Sequence, residues 1–269
     1  MFTLYDSHTH LADLSLQKDF TFLLKQIDSS LLKGVVIASC AMDEWPVILA
    51  FVQRSPKLRG AFGVHPIGLS KIQISTQVFY KKLESAWKQS LLVCHKIIAV
   101  GEIGLDYVQK DAVDHQRQIE FFTVQLRFAK DHNLTVILHI RKAWNDFFKV
   151  LQNHPDFRSL RIVYHNASCS IEIAKELLKL PALFFSFCGP LTWENAHKIH
   201  RLARWVPVER LLIESDTPNL SPACHRLQDS RPWMILEILQ KLAELRGCSQ
   251  ECLAVQLEKN WNECFRLFV

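Results

Sequence analysis

The sequence predicts an α/β protein of the TIM-type (β/α)8 barrel class, a single domain over residues 1–269. Two observations predict it: eight short runs rich in β-branched and aromatic residues recur at fairly even spacing, and segments of helical periodicity separate them. The runs are TLYDSH near 3–8, KGVVIAS near 33–39, LRGAFGVH near 58–65, KIIAVGEIG near 96–104, LTVILHI near 134–140, LRIVYH near 160–165, ALFFSF near 182–187 and RLLIESD near 210–216. Helical spacing is clearest over Gln116–Lys130 and Ser170–Leu180. Continuous apolar strands suit a parallel sheet buried on both faces, and the intervening helices supply the crossovers such a sheet requires. Eight units in about 250 residues match a barrel. A doubly wound open sheet is the competing arrangement for the same alternation. With no proline- or glycine-rich linker, low-complexity tract or internal repeat, one domain is the simpler expectation.

Composition narrows the class. Hydrophobic residues at 49% and charged residues at 22% exclude a disordered or fibrous chain. The net charge of +5 permits an anionic substrate but falls short of a dedicated nucleic-acid-binding surface. Eight cysteines are scattered without a CxxC pair, which reads as reduced thiols. The opening MFTLYDSHTH has no signal-peptide apolar region, and no run approaches the roughly 18 apolar residues that span a bilayer. These features lead to the expectation of a cytoplasmic protein with no membrane association and no obligate protein partner.

Six of the eight runs end in residues able to hold a metal ion: His8 and His10, His65, Glu102, His139, His165 and Asp216. In a parallel barrel every strand opens its C-terminal end on one face, so these distant residues converge there. His8 and His10 stand two apart, and the period-two geometry of a strand points both the same way. An isolated HxH is a weak signal, strengthened here by its company. His139 and His165 each close an apolar strand, where a lone histidine is more often a satisfied core residue. Glu102 and Asp216 end strands built for burial, and a buried carboxylate is costly unless it meets a cation or a basic side chain. Imidazole favours zinc and its neighbours whereas carboxylate favours harder ions, so Mg, Mn and Zn all remain open. Arg141, two residues beyond His139, is a candidate clamp for phosphate or carboxylate. Cys169 and Cys188 are expected as small packed residues, and most of His95, His115, His132, His154, His197, His200 and His225 as plain surface residues. The chain has no GxSxG elbow, GxxxxGK[ST] loop or GxGxxG turn, which excludes the serine-hydrolase, P-loop and dinucleotide signatures.

With these blocks in view the chain resembles the TatD family of metal-dependent deoxyribonucleases, within the amidohydrolase-like barrel enzymes. The matching blocks are DSHTHL (Asp6 to Leu11), GVHP (Gly63 to Pro66), GEIGLDY (Gly101 to Tyr107), LHIR (Leu138 to Arg141) and LLIESDTP (Leu211 to Pro218), and they span nearly the whole chain. The resemblance implies two or three divalent ions: one held by His8, His10 and Asp216, another by His139 and His165, with Glu102 bridging. It further implies that His65 and Arg141 face a substrate phosphate, and that the substrate is nucleic acid or another phosphate-bearing molecule, cleaved at phosphodiester bonds and often stepwise from the 3′ end. Glu102 and Asp216 are the expected catalytic carboxylates. The family commonly reads HCFSG where this chain has HNASC (His165 to Cys169), and many members carry a histidine where this chain has Ile67. Small-molecule amidohydrolases (lactonases, deaminases, phosphotriesterases) use the same ligands, but many bridge their metals with a carboxylated lysine, and here strand four offers Glu102 instead. A non-catalytic scaffold would show a degraded ligand set, and all six expected ligand positions are filled.

Overall fold

The computed structural model describes residues 2–108 and 113–266. Its strands are β1 (Leu4–Thr9), β2 (Leu32–Ala38), β3 (Leu58–Ala61), β4 (Ile97–Asp106), β5 (Thr135–Arg141), β6 (Ile162–Tyr164), β7 (Leu183–Phe187) and β8 (Leu211–Ile213). They form one eight-stranded sheet in sequence order, every neighbouring pair parallel. This is the TIM-type barrel the strand pattern predicts. The seam between β1 and β8 is bridged near its top, where the Asp216 N–H donates to the His8 carbonyl at 3.1 Å and the His10 N–H to the Thr217 carbonyl at 2.7 Å.

Amphipathic helices follow each strand because their apolar stripes need the sheet's outer face. Helix His115–Asp131 turns Phe121, Phe122, Leu126 and Phe128 onto the barrel, and Asp114 caps its start by accepting the Arg117 N–H. Helices Thr76–Val93 and Gln250–Phe265 are capped in the same way by Ser75 and Ser249. Among the described residues, no helix is long and apolar enough to cross a membrane.

Strand alternation divides the core in two. On β2, Val35 and Ile37 face the helices, while Val36 and Ala38 face a separate interior cluster with Ala61, Ala99, Ile137, Val163, Phe184 and Leu212. Helix Gln250–Phe265 closes the lower end of that interior with Trp261, Cys264 and Phe265. Gly34 leaves the Trp261 indole its space, since a Cβ there would stand 2.6 Å from the ring. Cys169 and Cys188 are buried, as expected. His200 departs from the surface expectation: it is buried, and its Nε2 lies 2.8 Å from the Leu191 carbonyl, which satisfies the ring.

Candidate metal centre

Moving up the strands from the interior cluster, the next inward-facing positions supply the site. Ala61, Ile137, Val163 and Leu212 face inward, and a step of two or four along the same parity reaches His65, His139, His165 and Asp216. Two strands reach it differently. Pairing of β1 with β2 steps from Asp6↔Val35 to Thr9↔Ile37, and β4 with β5 from Val100↔Val136 to Ile103↔Leu138, so β1 and β4 each carry one extra residue. These bulges reverse parity, bringing His8, His10 and Glu102 inward where simple alternation from Tyr5 and Ala99 would turn them out. Glu102 therefore does not end its strand as expected. β4 runs on to Asp106, and at Gly104 it approaches β5 so closely that a Cβ would overlap the His139 carbonyl.

Glu102 sits at the centre, only 2% exposed. Its Oε2 lies 3.4 Å from His8 Nε2 and 3.2 Å from His10 Nε2. Its other oxygen, Oε1, faces His139 Nδ1 at 2.8 Å, His165 Nε2 at 3.5 Å and His65 Nε2 at 3.6 Å. Asp216 Oδ1 completes the first group, 3.4 Å from His8 Nε2 and 3.5 Å from His10 Nε2. Donor atoms about 2.1 Å from one ion stand roughly 3.0–3.4 Å apart at tetrahedral or octahedral angles, so this spacing is that of ligands gathered round a cation. Asp216 Oδ1 is also buried without a hydrogen-bond partner, an unmatched anionic atom of the kind a cation would satisfy. The donor set fits divalent ions.

The electrostatics agree. Burial alone would raise the Glu102 carboxyl, but the charge of the neighbouring His165, with bonds from His10 and His139, holds it well below the usual carboxylate range. Burial would likewise raise Asp216, and His8 and His165 outweigh it and hold it low. Burial lowers His165, yet Glu214 and Glu102 push it up to about 10. His10 is raised by Cys40 and then Glu102, and His139 by Asp106 and then Glu102, each against its own burial. The carboxylates thus favour the protonated form of three imidazoles, and a bound cation would take the place of those protons.

His65 differs in kind. Its Nδ1 accepts the Ile67 N–H at 3.1 Å as the cap of a short 3-10 turn, and burial pushes its pKa down to about 3. A neutral ring whose Nδ1 accepts carries its hydrogen on Nε2. His65 therefore presents a donor to the cavity, as a substrate-facing residue would.

The sequence reading missed the groups behind the ligands. Glu214 Oε1 stands 2.8 Å from His165 Nδ1 and also accepts the Asn166 N–H at 2.7 Å. Asp106 Oδ2 stands 3.2 Å from His139 Nε2. Arg141 pairs across β4 and β5 with Asp106, its Nη1 3.8 Å from Oδ2, while its side chain remains 54% exposed at the rim. The signal was present: Glu214 and Asp106 are the remaining acids of the LLIESDTP and GEIGLDY blocks.

Comparison with known proteins agrees with this geometry. The family model described as TatD related DNase matches residues 5–266. A metal-dependent hydrolase of Buchnera aphidicola is 28% identical, covering 98% of this chain and 96% of its own. The metal-dependent hydrolase YabD of Bacillus subtilis is 27% identical, covering 98% and 99%. The crystal structure of YjjV, a TatD homologue from Escherichia coli, superposes with a TM-score of 0.88 at 26% identity, covering 98% of both chains. With the family model matched over nearly its full length, this chain belongs to the TatD-related DNase family.

Proposed function

We propose that this protein is a metal-dependent hydrolase that cleaves phosphodiester bonds of nucleic acid, working from the 3′ end. One observation carries the reading: the two oxygens of Glu102 face two separate sets of imidazoles, which is the geometry of a carboxylate bridging two ions. His8, His10 and Asp216, whose ligand atoms cluster, would hold one. His139 and His165, which each face Oε1, would hold the other, with His165 also clustering with His8 and His139 with His65. Zn, Mn and Mg suit these mixed nitrogen and oxygen donors to different degrees. Such ions would polarise a phosphoryl oxygen and acidify a nearby water.

The chain's own residues divide the remaining work. Asp216, held ionised, would take the proton of the attacking water on the carboxylate oxygen not committed to an ion. His65 donates its Nε2–H to an anionic oxygen of the substrate. Arg141, exposed at the rim, grips a phosphate in bidentate fashion. Glu102 keeps the two halves of the site in register.

The test compares 3′-labelled single-stranded DNA with a panel of lactones, amides and nucleobases, each in Mg²⁺, Mn²⁺ and Zn²⁺. Release of 3′ nucleotides with little turnover of the panel is expected. Turnover of a lactone or amide with intact DNA would overturn the phosphodiesterase reading in favour of a small-molecule amidohydrolase.

A further inference from the structure

Metal-ligating imidazoles usually carry a second partner that fixes which nitrogen holds the hydrogen and which is free to bind. Here Asp106 plays that part for His139 through a 3.2 Å hydrogen bond, while Glu214 stands 2.8 Å from His165 Nδ1 as an ion pair without hydrogen-bond alignment. The corresponding atom of His10 is Nδ1, and it faces a sulfur: Cys40 Sγ at 3.5 Å. His8, by contrast, has a buried Nδ1 with no hydrogen-bond partner, so of the HxH pair only His10 is held from behind.

We propose that Cys40 is the positioning residue for His10: its sulfur accepts the Nδ1–H and thereby aims the Nε2 lone pair at the ion shared with His8 and Asp216. Placement supports this. Val36 and Ala38 face the barrel interior, and Cys40 is the next residue of that parity, so it is the contribution of β2 to the rim. Its backbone is fastened on both sides, the N–H donating to Glu44 Oε2 at 2.7 Å and the carbonyl accepting the His65 N–H at 3.0 Å. Gly68 lets the chain pass close beneath, where a Cβ would overlap the Cys40 carbonyl. The sulfur is thus delivered to His10 by fixed backbone.

Sulfur accepts more weakly than a carboxylate, so His10 is the least firmly supported of the three imidazoles. The ion on the His8, His10 and Asp216 side is accordingly the first to leave under a chelator. This inference rests on the metal reading of the site but not on any substrate.

The test is Zn²⁺ binding to the metal-free full chain, measured by competition with a chromophoric chelator for the parent, Cys40→Val and Cys40→Ser. Valine removes the acceptor, and one ion should bind roughly 10- to 100-fold more weakly while the other is unchanged. Serine keeps an oxygen acceptor and should restore affinity to within about threefold. Circular dichroism of the metal-free proteins shows whether each variant folds. Parent-like affinity for both ions in Cys40→Val overturns the proposal. So does a sulfur-to-cobalt charge-transfer band in the Co²⁺-loaded parent that Cys40→Ser lacks, because that makes Cys40 a direct ligand. A parent that binds no ion overturns the metal reading itself, which separates that failure from this one.

Discussion

The two ends of the barrel are built from the same strands and reach opposite solutions. The lower end is closed by Trp261, Cys264 and Phe265, packed on interior residues such as Val36, Ala61 and Leu212. Thr135 Oγ1 and Arg161 Nε both donate to the Cys264 carbonyl there, at 2.6 and 3.1 Å, and the neutral Trp261 Nε1–H is left unmatched. At the upper end the same rows of side chains turn into histidines and carboxylates, and buried polar atoms such as Asp216 Oδ1 and His8 Nδ1 are left unmatched. One end puts its burial into stability, and the other gathers charge and unmatched polar atoms that a bound cation would satisfy. Substitutions at the two ends should therefore fail in different assays.

The sharpest separation comes from Glu102→Ala. Hydrolysis should fall by about 10³-fold or more, some 4 kcal/mol of transition-state stabilisation, with the fold retained in circular dichroism. Near-normal turnover in a metal-replete variant would contradict the assignment. At the other end, Trp261→Ala removes a buried indole 4.7 Å from the Tyr5 ring and 5.2 Å from the Phe265 ring. A loss of about 3–5 kcal/mol in denaturant unfolding is expected, with per-molecule activity of the folded fraction nearly unchanged. A large fall in that specific activity would erase the contrast between the two ends.

Smaller effects test the layer behind the ligands. Asp106→Asn leaves His139 with a neutral partner and should cost about 10- to 100-fold in metal affinity or activity. Titration of Zn²⁺ into the Asp106→Asn protein reads this directly. The last test is pH. His10, His139 and His165 have raised pKa values, so an ion binding there displaces protons, and its affinity rises as pH rises. The slope should be about tenfold per pH unit for each proton displaced. Calorimetry in buffers of different ionisation enthalpy counts those protons, and a count of zero would show that the ligands are already free.

The contrast also explains what the sequence made legible. The eight apolar runs coincide with the eight strands, because burial on both faces leaves the strands little else to be. His8, His10, His65, Glu102, His139, His165 and Asp216 do meet, since every strand of a parallel barrel opens on one rim. The bulges were not legible. Nothing in DSHTH or VGEIG announces the extra residue that turns His8, His10 and Glu102 inward, because a bulge is a property of pairing between strands. Cys40, Asp106 and Glu214 were passed over for a related reason. They act through a histidine: Asp106 and Glu214 lie inside the quoted blocks, but which ring each one meets, like the approach of Cys40 Sγ to His10 Nδ1, is set by three-dimensional distance.

The most direct measurement is anomalous scattering from crystals of the protein grown with Mn²⁺ or Zn²⁺. Peaks on both sides of the Glu102 carboxylate are predicted, one among His8, His10 and Asp216 and one beside His139 and His165. Crystals with these side chains ordered as described and no anomalous peak among them would contradict the account.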